Sequence, residues 1–256
     1  MMEGKIRHKD ILEQLTAVRK SNRKLFVVLI DPDHADSGNL ENIISKAESA
    51  GVDLFFVGGS LMVSDSMDLC LDKIRQISHI PSILFPGNPI QLSDKADALL
   101  YLSLISGRNA ELLIGNHVVT APLLMQSPVQ VMPTGYMLID GGAPTTVSYI
   151  SNTLPIPADK PDIAMATAMA GQLLGLKLIY LDAGSGAKNP VSAEMIAKVR
   201  KAVDLPIIVG GGIRTPEQAA RAAHAGADVI VVGNQLEENA ELVFEMARSV
   251  HALNYT

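Results

Sequence analysis

The chain has 256 residues, 48% of them hydrophobic, and its 21 basic and 27 acidic side chains give a formal charge of −6. That balance excludes a broad basic footprint for nucleic acid, so an anionic ligand must be held locally, by backbone N–H groups, a few cations or a metal ion. Cys70 is the only cysteine, which excludes an intramolecular disulfide and points to a reducing, cytoplasmic setting.

In chain order, the start "MMEGKIRHKDILEQL" is charged and has no apolar signal core. "LFVVLIDPD" predicts a first strand, and "NLENIISKAESAG" predicts a helix closed by glycine. "DLFFVGGS" is the second strand, followed by helical "SMDLCLDKIRQI" with Cys70 in its middle. "PSILFPG" is the third strand. "ALLYLSLIS" is the fourth, with a helix near Asn109 to Met125. "VQVMPTGYMLID" is the fifth. The stretch "GGAPTTVSYISNTLPIPADKP" is the longest irregular region and a candidate functional loop.

"IAMATAMAGQLLGL", Ile163 to Leu176, is shorter than the roughly 18–20 residues that span a bilayer, so no transmembrane segment is expected. It reads as a helix buried on most sides, either within the chain or against another copy. "KLIYLDAG", "LPIIVGGG" and "DVIVVGN" are strands six to eight, each followed by a helix-length segment.

Several strands are near-continuous apolar runs, the mark of a parallel sheet covered on both faces. Eight strand–helix units in this length match a single (β/α)8 barrel over residues 1–256, with no linker-like composition to divide it. An open doubly wound sheet is the alternative, but it usually carries its phosphate loop after the first strand, and here the glycine-rich turns come late.

Barrel chemistry sits where strands end. Those positions hold Asp31-Pro32-Asp33, Gly58-Gly59-Ser60, Pro86-Gly87-Asn88, Asp140-Gly141-Gly142, Asp182 to Gly186, Gly210-Gly211-Gly212 and Gly233-Asn234. On the opposite rim "AGVD", "AVDLP" and "AGAD" read as tight turns. "VGGGIRTPEQA" and "VVGN" together form a phosphate cradle: glycines allow close backbone approach, and Thr215 caps a helix that starts at Pro216. Gly184, Ser185 and Gly186 add further N–H groups and a hydroxyl. Asp182 ends the sixth strand and is placed to accept a proton from a ligand hydroxyl, or else to hold loop N–H groups.

Asp31 and Ser60 supply one carboxylate and one hydroxyl, a sparse set that suits Mg²⁺ with waters and phosphate oxygens. The competing reading of Asp-Pro-Asp is a turn or cap, the role expected of Asp33 and Asp36. Tyr180 packs or touches a ligand hydroxyl, and Lys188 neutralises charge or is solvated. His34, His117 and His224 have no metal-ligand spacing, and no nucleophile elbow is present.

"LIDPD", "FFVGGS", "YLDAGSGA", "VGGGIRTPEQA" and "ADVIVVGN", in this order, resemble the geranylgeranylglyceryl phosphate synthase family, which includes heptaprenylglyceryl phosphate synthases. The likeness runs from about Leu25 to Asn234, and the chain length resembles the larger of the family's two groups. The resemblance implies a prenyltransferase that joins sn-glycerol 1-phosphate to a polyprenyl diphosphate, geranylgeranyl diphosphate above all, in ether-phospholipid synthesis. It implies Mg²⁺ on Asp31 and Ser60, with Asp182 as the catalytic base. Tyr180, Leu181, Asp182, Ala183, Gly184, Ser185 and Gly186 would then line the glycerol phosphate, with Gly211, Gly212, Gly233 and Asn234 on its phosphate. A homo-oligomer, dimer or hexamer, is also implied. Relatives often carry glutamate at the position of Asp182 and lysine at that of His34. Other phosphate-binding barrels, such as isomerases or FMN oxidoreductases, and a non-catalytic phosphometabolite binder are the rival readings.

Overall fold

The computed structural model describes residues 10–34 and 38–255. Asp36 and the chain's first nine residues lie outside the described residues, so the cap reading of Asp36 and most of the charged start fall there. The strands are β1 (Leu25–Ile30), β2 (Leu54–Val57), β3 (Ser82–Leu84), β4 (Ala98–Leu104), β5 (Gln130–Leu138), β6 (Leu178–Asp182), β7 (Ile207–Gly210) and β8 (Val229–Val232). All neighbours pair in parallel in sequence order, and β8 pairs with β1 (Val27 beside Val231) to close the barrel.

Helices α1 (Ile11–Lys20), α2 (Asn39–Ala50), α3 (Met67–Ile77) and α4 (Asn116–Leu124) belong to the first half. The second half carries α5 (Thr146–Ser151), α6 (Pro161–Leu173), α7 (Ala193–Ala202), α8 (Pro216–His224), α9 (Asn234–Glu238) and α10 (Leu242–His251). A single π-helical turn, Glu111–Gly115, leads into α4. Among the described residues no helix is long and apolar enough to cross a membrane.

The near-continuous apolar runs have a simple cause. Strand side chains alternate between faces, and both faces are covered. Val27, Phe56, Leu100, Met132, Leu178, Tyr180, Ile208 and Val231 fill the barrel interior. Their neighbours Val28, Phe55, Leu99, Ile179, Leu181, Val209 and Val232 face the helices. The same parity carries Leu178 and Tyr180 on to Asp182 at the interior face, while Leu181 points outward.

The rim of tight turns has a recurring device. Asp53, Asp97 and Asp228, each just before a strand, accept the backbone N–H of Phe26, Ser82 and Ile207 at the start of the preceding strand, at 2.8–2.9 Å. Each such charge-assisted bond contributes about 1.5–3 kcal/mol. Asp228 is fully buried and also accepts from Arg200 Nη1 at 2.9 Å, with Lys24 Nζ 3.8 Å away.

The apolar segment after the long connection departs from expectation. It is helical from Pro161 to Leu173, but only Ala164, Ala168 and Gly171 are buried. Ile163, Met169, Leu173 and Leu174 are exposed. The small residues pack one edge against α7 and β5, and among the described residues no second layer covers the rest.

Candidate active site

The ends of β1, β2, β6, β7 and β8 surround one polar pocket at the C-terminal rim. Asp31, Ser60, Tyr180, Asp182, Ser185, Gly186, Gly211, Gly212, Gly233 and Asn234 all line it, with Arg214, Glu237 and Glu238. Three other anticipated residues stand behind this wall. Leu181 packs in the outer core. The Ala183 N–H donates to Gly210 O, and the Gly184 N–H donates to Asp182 Oδ1 at 2.7 Å.

Asp182 is buried, 6% exposed. Its Oδ2 accepts from the Tyr136 hydroxyl at 2.7 Å, and its Oδ1 accepts from Gly184. Burial pushes its pKa above the usual aspartate range, while these two donors act in the opposite direction by favouring the ionised form. A carboxylate offers about four acceptor positions, so two donors leave capacity for a ligand hydroxyl. Tyr180 stacks on Phe85 with ring centroids 5.1 Å apart; burial raises its phenol pKa well above the ordinary value. The residue therefore packs and lines the pocket at once.

The loops are tied to one another. Gly211 has φ +77°, a left-handed conformation that glycine adopts without penalty, and a Cβ there would lie 2.5 Å from both Asp182 Oδ1 and Gly184 N. Arg214 donates to Ala187 O and Lys188 O at 2.7 and 2.8 Å, binding the loop after β7 to the loop after β6. Ser185 Oγ donates to Asn234 Oδ1 at 3.1 Å, linking the loops after β6 and β8. Thr215 and Gln218 form a reciprocal capping box at the start of α8. Lys188 is exposed and contributes its carbonyl to the Arg214 clamp.

On the facing side, Asp31 Oδ1 accepts from Asp33 N at 3.0 Å, and a Cβ on Gly59 would sit 3.5 Å from Asp31 Oδ2. The loop after β2 thus passes beside the Asp31 carboxylate, with room between them for a methyl group. Asp33 braces that loop, accepting from Val63 N, Ser64 N and Ser64 Oγ at 2.6–3.1 Å. Its bonds thus run to a second loop rather than capping its own turn; the local turn bond, two residues on, is the one Asp31 accepts from Asp33 N. Among the described residues no group of three or more His, Cys, Asp or Glu side chains could hold a metal. Any cation here would rest on the sparse Asp31–Ser60 set.

A second, mainly apolar cavity adjoins the first, and Gly59, Ser60 and Phe85 line both. Its walls include Leu100 and Leu102 from β4, Leu112 and Leu124 around α4, and Val147 and Ile150 from α5. His117 lies on this wall with its ring edge-on to Tyr101 at 4.4 Å, and burial lowers its pKa. The long irregular region thus contains a short helix, opened by a capping box on Thr145, that roofs the cavity. The sequence motifs did not single out Tyr136, which sits inside an apolar strand. Strand parity is the signal that finds it, because Met132, Tyr136 and Leu138 share the inner face.

Residues 17–251 match the sequence pattern of the PcrB family. The chain belongs to the PcrB family. This PcrB family member is 53% identical over 245 residues to a geranylgeranylglyceryl phosphate synthase of Chitinophaga pinensis, covering 96% of this chain and 97% of the relative. It is 54% identical over 234 residues to that of Spirosoma linguale, covering 91% and 94%. Its fold matches the crystal structure of (S)-3-O-geranylgeranylglyceryl phosphate synthase from Thermoplasma acidophilum in complex with sn-glycerol-1-phosphate. The TM-score is 0.90 at 33% identity, covering 96% of this chain and all of the other. A tryptophan synthase of Mycobacterium tuberculosis, at 15% identity and TM-score 0.60, shares the fold alone.

Proposed function

We propose that this PcrB family member is a prenyltransferase that joins sn-glycerol 1-phosphate to a polyprenyl diphosphate, geranylgeranyl diphosphate in the first instance. It would serve ether-phospholipid synthesis. One observation carries the reading: a polar pocket containing a buried carboxylate shares a wall with an apolar cavity. That arrangement suits one small polar substrate and one long oily one.

In this reading the phosphate lies on the backbone of Gly211, Gly212, Gly233 and Asn234 with Ser185, held by neutral dipoles rather than by a counter-charge. Asp182 faces the other end of the three-carbon molecule. The glycerol hydroxyl oxygen bonds to the allylic C1 as the C1–O bond to diphosphate breaks. The electron pair leaves on pyrophosphate, and the hydroxyl proton passes to Asp182. Asp31 and Ser60 would hold Mg²⁺, whose chemistry is to neutralise charge developing on the diphosphate. The apolar cavity holds the tail, each buried CH₂ contributing about 0.8 kcal/mol.

The relatives' names and the glycerol-phosphate complex of the Thermoplasma structure support this choice of substrates. The exposed apolar residues of α6 support a homo-oligomer, dimer or hexamer, and the lone buried thiol of Cys70 suits a cytoplasmic enzyme.

The test mixes labelled sn-glycerol 1-phosphate, geranylgeranyl diphosphate and Mg²⁺ with the protein and extracts any lipid product. Ether-linked product and released pyrophosphate are expected. Asp182→Asn is expected to bind glycerol 1-phosphate nearly as well while turnover falls by about 100-fold or more. Wild-type turnover in that variant removes Asp182 from the chemistry, and no product with any prenyl diphosphate overturns the proposal.

A further inference from the structure

Tyr136 links the two chambers, lining the apolar one and bonding to the carboxylate of the polar one. Its ring lines the apolar cavity and packs against Phe85 and Tyr180, with centroids 5.9 and 5.5 Å apart. Its hydroxyl reaches Asp182 Oδ2 at 2.7 Å on the polar side. The residue is only 6% exposed, so the aromatic packing fixes where the hydroxyl points.

We propose that Tyr136 is the positioning residue for Asp182, holding the carboxylate's direction and favouring its ionised form from the apolar side of the site. Its part in the reaction rests on the prenyltransferase reading; its hold on the carboxylate does not. An aspartate this deep would otherwise keep its proton at the cost of its use as a base. The Tyr136 hydroxyl and the Gly184 N–H together oppose that tendency. The Tyr136 hydroxyl itself stays protonated, because burial and the adjacent carboxylate raise its pKa well above that of an ordinary phenol. It therefore acts as a fixed donor and not as a proton carrier.

Other titratable groups face Asp182 as well. Those lining the same pocket are Tyr180 on β6 itself, Asp31 just after β1, Arg214 after β7, and Glu237 and Glu238 of α9. All remain in a Tyr136 variant, so a difference from the wild type reports Tyr136.

The experiment follows the Asp182 carboxyl by ¹³C NMR in aspartate-labelled protein, assigned with Asp182→Asn, alongside pH profiles of kcat/KM. Tyr136→Phe is expected to raise the Asp182 midpoint by about one to two units, the worth of a charge-assisted hydrogen bond. The acid limb of kcat/KM moves up with it. Below both midpoints the rate falls about 10- to 100-fold, and it recovers as the pH rises past the shifted midpoint. Loss of ring packing alone would lower the rate equally at every pH. If Tyr136→Phe does not fold, 3-fluorotyrosine at position 136 keeps the ring and strengthens the donor, and the midpoint is expected to fall. A midpoint that stays put in whichever variant folds overturns the proposal. A midpoint that moves as stated, in a protein that makes no ether lipid, upholds the hold on Asp182 and refutes the prenyltransferase reading instead.

Discussion

Substituting alanine at Gly211 tests the packing beneath the candidate site, and Gly175→Ala provides the control. Both glycines have left-handed backbones, φ +77° and +88°, but a Cβ on Gly175 would meet nothing within 4 Å. Gly175→Ala therefore costs only the conformational penalty, about 1–2 kcal/mol. At Gly211 the methyl would also lie 2.5 Å from Asp182 Oδ1, 2.5 Å from Gly184 N and 2.8 Å from Ala183 N. Relieving that overlap costs about 1–3 kcal/mol. Pushing Gly184 off the carboxylate loses a charge-assisted bond worth about 1.5–3 kcal/mol more. The expected total is about 4 kcal/mol or above. At about 2–4 °C per kcal/mol for a chain near this size, calorimetry should find Tm lowered by about 8–16 °C for Gly211→Ala and by about 2–8 °C for Gly175→Ala. Titration calorimetry should show glycerol 1-phosphate binding weakened only by the former. Equal Tm losses in the two variants would refute the inference that the loop after β7 packs directly on Asp182.

Three further outcomes are expected. Asp31→Ala should raise the Mg²⁺ concentration giving half-maximal activity by about 10-fold or more; an unchanged Mg²⁺ dependence excludes Asp31 as a ligand. Asp228→Ala should destabilise the fold by about 3–5 kcal/mol in urea titration, because it strands the half-buried cations of Lys24 and Arg200 and the Ile207 N–H; a loss under about 1 kcal/mol would show that the cluster carries little. Burial pushes the Cys70 thiol up to about 12 from an ordinary 9.0. Its thiolate fraction at pH 8 therefore drops about 1,000-fold, so Ellman's reagent should label the native protein hardly at all and label it fully in denaturant. Fast native labelling would contradict the buried placement.

The barrel was readable because its strands are apolar on both faces, and a parallel sheet covered on each side is the arrangement that needs such strands. The position of Asp182 followed from the same alternation, since Leu178, Tyr180 and Asp182 share a parity. Its hydrogen bond from Tyr136 did not, because 46 residues separate the partners and no local pattern marks a tyrosine in an apolar strand as polar in function. The exposed face of α6 was hidden for a related reason. Composition shows that a surface is apolar but not whether the same chain covers it. α5 was missed because a six-residue helix set by one capping box barely registers against prolines and glycines on either side. The three aspartates under the strands were visible only as parts of tight turns, and their bonds to neighbouring strands emerge once the ring is closed.

The seam between β1 and β8 has a kinetic consequence. Val27 and Val231 stand side by side although about 200 residues separate them along the chain. Ring closure there bears the largest loop entropy of any strand pair in the molecule, and local contacts do nothing to offset it. Whenever that junction is open, two bare parallel edges are exposed to stray pairing with other chains. Resistance to such pairing therefore rests in part on how seldom this junction parts.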